Sequence, residues 1–206
     1  MNQIKKTSLT FKHLTACFIL FILPTLSYAE NSGPIVVTIK PLYSLVAHLT
    51  EGITKPVLLM KQAQSPHHYN MRPSERRLLA SASTIIWLGP QMESYLKKVI
   101  QQQTATRIQA IQSPGLHLLE TRKNETHQHT DKHHDSHHDS DDKSTDPHIW
   151  LSINNTKIIS QHITEQLILD DPEHRQQYEQ NLQTLILKID QTKKDIKTLL
   201  KNKKQP

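Results

Sequence analysis

The apolar positions of this chain change their spacing from segment to segment, and the changes mark out its elements. Residues 34–39 carry an unbroken β-branched run, Ile35-Val36-Val37-Thr38-Ile39, of the kind found in a strand covered on both faces of a parallel sheet. Segments 56–60 (Pro56-Val57-Leu58-Leu59-Met60) and 84–88 (Thr84-Ile85-Ile86-Trp87-Leu88, closed by Gly89-Pro90) repeat that character, and 107–111 reads as a fourth strand. Between them the spacing is helical. Leu42, Leu45, Val46 and Leu49 share one face after Pro41, with Gly52 as the stop, and further helices run through Glu75, Leu78 and Leu79 and through Tyr95, Val99 and Ile100. Strands alternating with helices at this pace predict βαβ units, an α/β lobe and a mostly parallel sheet.

Past residue 150 the pattern is helical only. Ile159, Ile163 and Leu167 recur every four residues and predict a short amphipathic helix. Asp170-Asp171-Pro172-Glu173 is a helix start, with a capping aspartate, proline in the first turn and an acid near the positive end of the helix dipole. Tyr178, Leu182, Leu185, Ile189, Ile196 and Leu199 continue it, so 172–200 would form a rod of about 43 Å at 1.5 Å per residue. Such a rod has more apolar face than a four-stranded domain needs, and should lie against something else as well.

The start of the chain reads as an address. Lys5, Lys6 and Lys12 form a basic region, 14–26 is an apolar run, and Ser27-Tyr28-Ala29 supplies the small residues read by a signal peptidase. That run is shorter than the roughly twenty apolar residues of a membrane span. Leu14-Thr15-Ala16-Cys17 resembles a lipoprotein box but stands before the apolar stretch instead of after it. Export with cleavage after residue 29 leaves about 177 residues, enough for one core and an appendage. Cys17 is the only cysteine and departs with the signal, which excludes an internal disulfide and a cysteine-ligated zinc finger. The remaining excess of positive charge lies mostly in 188–204, without interleaved aromatic residues, so no nucleic-acid partner is expected. The organisation expected is a signal peptide at 1–29, an α/β metal-binding lobe at 30–170 interrupted by a disordered loop at about 121–145, a long helix at 171–201 and a tail at 202–206.

That loop is the strongest chemical signal. Six histidines (His127, His129, His133, His134, His137 and His138) stand among five aspartates between 126 and 142, a composition that collects zinc, copper or nickel. Two histidines stand apart from the tract. His67, in Ser65-Pro66-His67-His68-Tyr69, follows the second strand, where open α/β sheets place their ligands, and His148 sits between Pro147 and the apolar Ile149-Trp150-Leu151. Two imidazoles from separate loops meeting at that edge would make half of a four-coordinate zinc site. Taken singly, each is equally what a solvated loop histidine or a packed one beside tryptophan looks like. There is no His-Glu-x-x-His helix and no evident carboxylate base beside His67 or His148, so a metallohydrolase is not expected.

Five blocks in order and spacing then carry a resemblance: Val37-Thr38-Ile39-Lys40-Pro41-Leu42, Ser65-Pro66-His67-His68-Tyr69, Met71-Arg72-Pro73-Ser74, Trp87-Leu88-Gly89-Pro90-Gln91-Met92-Glu93 and His148-Ile149-Trp150-Leu151-Ser152. Together they resemble the zinc-binding solute receptor of bacterial ABC importers, in the metal-receptor class of periplasmic binding proteins. The resemblance implies two α/β lobes joined by a long helix with zinc in the cleft between them. By that likeness 172–200 is the connecting helix, His67 and His148 are the first-lobe zinc ligands, and 127–138 is the family's histidine-rich loop. His68 falls where relatives commonly carry an aspartate and is an additional candidate ligand, whereas Pro66 stands where some zinc members place a glutamate. Arg72, Pro73 and Ser74 are expected to shape the loop and cap the next helix. The second lobe is absent from this sequence, which reads as the first half of a receptor with weakened zinc binding. The partners implied are an inner-membrane zinc permease, a separately encoded second lobe, and self-association through the exposed helix. The alternative is an exported zinc buffer or chaperone acting through 127–138; a surface adhesin is disfavoured by the misplaced lipoprotein box.

Overall fold

A computed structural model describes residues 33–61, 69–121 and 145–201. The expected signal peptide, His67, His68, the 127–138 histidines and the tail at 202–206 lie outside the described residues. The four expected strands are all present: β1 (Ile35–Val37), β2 (Val57–Leu58), β3 (Thr84–Trp87) and β4 (Thr106–Gln109). They form one parallel sheet in the order β2-β1-β3-β4. Val36 pairs with Ile85 and Val57, and Ile86 with Val37 and Ile108, so the β-branched runs lie side by side. β2 is shorter than 56–60 because only two residues hold ladder register, although Leu59 and Met60 still donate to Val37 and Thr38.

Both faces of the sheet are covered, as the unbroken apolar runs require. On one side Ile35, Val37, Ile86, Leu88 and Ile108 pack with Leu42, Val46 and Leu49 of α1 (Lys40–Leu49), Ile159, Ile163 and Leu167 of α4 (Ile153–Asp170), and Tyr178 and Leu185 of α5 (Arg175–Lys201). On the other side Val36, Ile85 and Trp87 pack with Leu79 of α2 (Pro73–Ala80), Leu96, and Ile100 of α3 (Lys97–Gln101). Alternate residues of β1 and β3 feed opposite cores, the two-residue period of a strand. Each large aliphatic side chain so buried contributes about 1.5–3 kcal/mol.

The helices depart from expectation in two places. α4 is not short: it runs for 18 residues, because Asn155, Ser160 and Thr164 are buried polar residues that interrupt its apolar stripe in the sequence. Ser160 and Thr164 satisfy their hydroxyls on carbonyls one turn back, at 2.8 Å each. At the expected helix start neither aspartate caps. Asp171 takes hydrogen bonds from His174 Nδ1 and from the Tyr178 hydroxyl, Pro172–His174 forms a 3-10 turn, and α5 proper begins at Arg175. α5 is docked by Asn181, whose amide donates to the carbonyls of Leu49 and Glu51 at 2.9 Å each, and by the ion pair between Lys157 and Asp190. Its outer half leaves Leu187, Ile196, Leu199 and Leu200 exposed. No helix among the described residues is long and apolar enough to cross a membrane.

Candidate metal centre

The direction of α4 decides where His148 stands. Its last residue, Asp170, accepts hydrogen bonds from Thr84 and Thr106 at 3.0 Å each, and these residues open β3 and β4. From that end the helix runs back along the strands for about 27 Å. The helix also packs against the 3-10 turn Ala110–Gln112 that follows β4 at the carboxyl edge of the sheet, and Asn155 of its first turn holds the backbone of His117 a few residues further on. Ser152 caps α4 by accepting from the Asn155 N–H, and Ile149, 4% exposed, sinks into the same core as Ile39, Met60 and Leu88. His148 therefore stands on a fixed footing.

Its ring is held from two directions. His148 Nδ1 lies 2.7 Å from Asp146 Oδ1, which also accepts the His148 backbone N–H at 3.0 Å, and Trp150 meets the imidazole edge-on at 5.3 Å. A proton on Nδ1 shared with the carboxylate puts the lone pair on Nε2, the arrangement that orients metal-binding histidines. The expectation of no carboxylate beside His148 is thus corrected. Asp146 is two residues away, and the Asp-Pro-His spacing is the signal that would have found it.

For His67 and His68 the structure supplies the two ends of their segment. On one side Met60 donates to the Thr38 carbonyl at 3.2 Å; on the other Tyr69 is buried against Tyr95, ring centres 5.7 Å apart. The Tyr95 hydroxyl reaches Met60 Sδ, tying the two ends together. Burial, and then the Glu75 carboxylate, push the Tyr69 hydroxyl well above the usual phenol range, so it stays a neutral donor. Pro73 opens α2 as expected, but the cap is Glu75 reaching back to the Arg72 N–H at 2.7 Å, not Ser74. The histidine tract also has described roots. Glu120 and Thr145 form an antiparallel bridge, Asp146 donates to Leu119, and the buried Asn155 amide holds both the N–H and the carbonyl of His117. The described chain thus resumes at Thr145, paired with Glu120 and three residues before His148. Among the described residues no three His, Cys, Asp or Glu side chains gather at one place.

A further carboxylate lies at this edge, one that the sequence reading passed over. The strand order sends the chain from β1 toward β2 and from β3 toward β4, so the connections after β1 and β3 diverge and open a crevice between them. Thr38 follows β1 there, and Glu93 follows β3; both are fully buried. Glu93 Oε2 accepts the Leu88 N–H at 2.7 Å, and the Gly89 N–H also points at the carboxylate. Gly89 makes the turn at φ 142°, where an added Cβ would meet Ile111, Gln109 and Gln91 within 3 Å. Burial raises the Glu93 carboxyl from 4.5 to about 7, against the pull of Thr38 and of these N–H donors.

The sequence matches the family described as ZnuA, zinc-uptake complex component A, periplasmic, over residues 35–206. The high-affinity zinc uptake protein of Brucella abortus is 32% identical over 201 residues, covering 85% of this chain and 60% of the relative. Its counterpart from Yersinia pestis is 31% identical over 180 residues, covering 82% and 57%. The chain therefore spans about 60% of the length of the curated relatives it matches. In structure it resembles a crystal structure of ZnuA (TM-score 0.70, 23% identity, 84% of this chain and 62% of that one). It also resembles the Zn(II)-bound ZnuA-like domain of Streptococcus pneumoniae AdcA (TM-score 0.60, 21% identity, 77% and 52%). These likenesses show the same α/β fold, and with the match over nearly all of the chain outside its first 34 residues they lead to one conclusion: this chain belongs to the ZnuA family of periplasmic zinc-uptake components.

Proposed function

We propose that this chain captures zinc as the receptor component of a zinc ABC importer, with His67 and His148 as the ligands contributed by its first lobe. The observation that carries this reading is the Asp146–His148 pair, an imidazole oriented by a carboxylate at the carboxyl edge of a parallel sheet. The segment bearing His67 is rooted at the same edge through Met60 and Tyr69, which supports a shared site; His68 is an additional candidate ligand. Zinc is the cargo, and no chemical conversion is proposed. Imidazole donors favour zinc over manganese, which prefers carboxylate oxygen, and the names of the Brucella and Yersinia relatives support the same choice.

The lobe is assigned to 30–170, with the histidine tract at 127–138 as an auxiliary collector (His127, His129, His133, His134, His137 and His138), and α5 is assigned as the connecting helix. The exposed Leu187, Ile196, Leu199 and Leu200 support a further packing partner for that helix. A second lobe would supply the remaining zinc ligands, and a second copy of the chain is the competing occupant. Export through 1–29 to the periplasm and delivery to an inner-membrane permease complete the proposal.

Calorimetric zinc titration against a competing chelator tests it on three forms: intact, 127–138 deleted, and His67→Ala with His148→Ala. One tight site that survives deletion of the tract and vanishes in the double variant is the expected result. Binding that is weak, multiple and lost with the tract would overturn it in favour of an exported zinc buffer.

A further inference from the structure

A buried side-chain amide in a helix needs a reason, since its acceptor and its donor must both be met inside the protein. Asn155, 2% exposed in the first turn of α4, meets them on a single residue. Its Oδ1 accepts the His117 N–H at 2.9 Å, and its Nδ2 donates to the His117 carbonyl at 2.8 Å. The pair imitates a neighbouring strand for a stretch that has no regular structure of its own. Between Gln112 and the bridge at Glu120 the chain forms no helix or strand. Leu118 and Leu119 are 44% and 60% exposed, so apolar burial does not pin the outer half of that stretch.

What the stretch holds in turn is Asp146. The Leu119 carbonyl accepts the Asp146 N–H at 2.8 Å, next to the Glu120–Thr145 bridge, and Asp146 Oδ1 takes both the backbone N–H and Nδ1 of His148. His148 returns to Asn155 along the chain. Its carbonyl accepts from Leu151, the Trp150 carbonyl accepts the Thr156 hydroxyl at 2.9 Å, and the Asn155 N–H reaches Ser152 Oγ. These contacts close a circuit from Asn155 through His117, Leu119 and Asp146 to His148 and back. We infer that Asn155 is a positioning residue for the metal-binding edge: by clamping His117 it fixes the backbone that carries Asp146, and with it the carboxylate that orients the His148 imidazole. A purely structural amide would only tie the stretch to α4. The circuit adds a second effect, because Asp146 is anchored by that stretch at its backbone and meets the histidine with its side chain. The effect on metal rests on the receptor reading above; the orientation of the ring in the metal-free protein does not.

A double-mutant cycle tests this. Asn155→Ala should weaken zinc binding by roughly ten-fold, the low end of the range for groups that orient a metal ligand, since it acts one step further out. In an Asp146→Ala background the same change should cost nothing further, because the carboxylate it acts through is gone. Equal losses in the two backgrounds would overturn the positioning role. Thr164→Ala removes a buried hydrogen bond from the middle of the same helix and controls for lost stability. Its zinc affinity should match wild type, and a loss as large as that of Asn155→Ala would reduce Asn155 to a structural group. Long-range proton–nitrogen correlation spectra of the nitrogen-labelled, metal-free protein supply a readout without zinc, at about pH 8.5, above the ordinary imidazole range. The share of His148 carrying its proton on Nδ1 should fall in Asn155→Ala and hold in Thr164→Ala; an unchanged share in Asn155→Ala would sink the proposal. Should wild type bind no zinc, the receptor reading has failed, and these spectra alone decide the role of Asn155. If Asn155→Ala does not fold, Asn155→Asp takes its place throughout, since it keeps the shape and the acceptor for the His117 N–H but lacks the donor.

Discussion

The two edges of the sheet treat their carboxylates in opposite ways. At the amino edge Asp170 spends one oxygen on Thr84 and the other on Thr106, closing α4 onto the starts of β3 and β4. Asn181 does the same for α1, which runs back from the carboxyl edge, by satisfying from α5 the carbonyls of Leu49, its last residue, and of Glu51 just beyond it. At the carboxyl edge Glu93 is more deeply buried yet half satisfied, and His148 keeps 41% of its side chain accessible while leaning on Asp146. A fully met network rigidifies and contributes stability; an incompletely met one persists where something other than stability is served. The amino edge is the part that holds the fold, and the carboxyl edge is the part that can respond.

The sharpest way to separate the edges is the pH dependence of stability. Glu93 holds its proton more tightly in the folded protein than in the unfolded chain, so between about pH 4.5 and 7 the folded state binds more protons. Its contribution is fully present below that window and is lost as pH rises through it, a change on the order of 3 kcal/mol for this shift. Urea unfolding of wild type and Glu93→Gln across the window should show this difference in slope; parallel curves would place Glu93 with Asp170 as a merely structural group. Next in size, Asp146→Ala should weaken zinc binding by roughly 10- to 100-fold through loss of the imidazole's orientation, with Asp146→Asn recovering part of it. An affinity unchanged in Asp146→Ala would mean that Trp150 and the backbone suffice to fix the ring.

How much of this was legible follows the same division. β1 and β3 announce themselves because their apolar, largely β-branched runs are buried on both faces, whereas β4 shows through alternation, with Arg107 exposed and Ile108 buried. α4 was underestimated because Asn155, Ser160 and Thr164 are buried for their hydrogen bonds, and a hydropathy pattern counts them as outward-facing. The aspartates at 170–171 carry the composition of a cap, but their oxygens go to β3, β4, His174 and Tyr178, partners fixed only by tertiary structure. Asp146 was readable two residues before His148. Glu93 was not, since its buried setting depends on Thr38 arriving from 55 positions away in the chain, at a crevice set by strand order.

At the amino edge the effects should be on stability alone. Asp170→Ala strands the buried Thr84 hydroxyl and removes two bonds to a charged acceptor, at a cost of about 2 kcal/mol. Zinc affinity should stay within experimental error of wild type, because the carboxyl edge keeps every contact it had.

Asn181→Ala is the smallest change and the most discriminating for the long helix. Its amide bridges the carbonyls of Leu49 and Glu51 from a half-buried position, so water can replace it in part, and the loss should be about 1 kcal/mol. Tyr178 and Leu185, one turn to either side, stay buried against the core and keep α5 docked. Urea unfolding should therefore shift its midpoint with the slope unchanged, while hydrogen exchange along α5 rises only near residue 181. If the whole of α5 loses protection together, the helix is held at a single point, and its far half hangs on the amide of Asn181 more than on apolar packing.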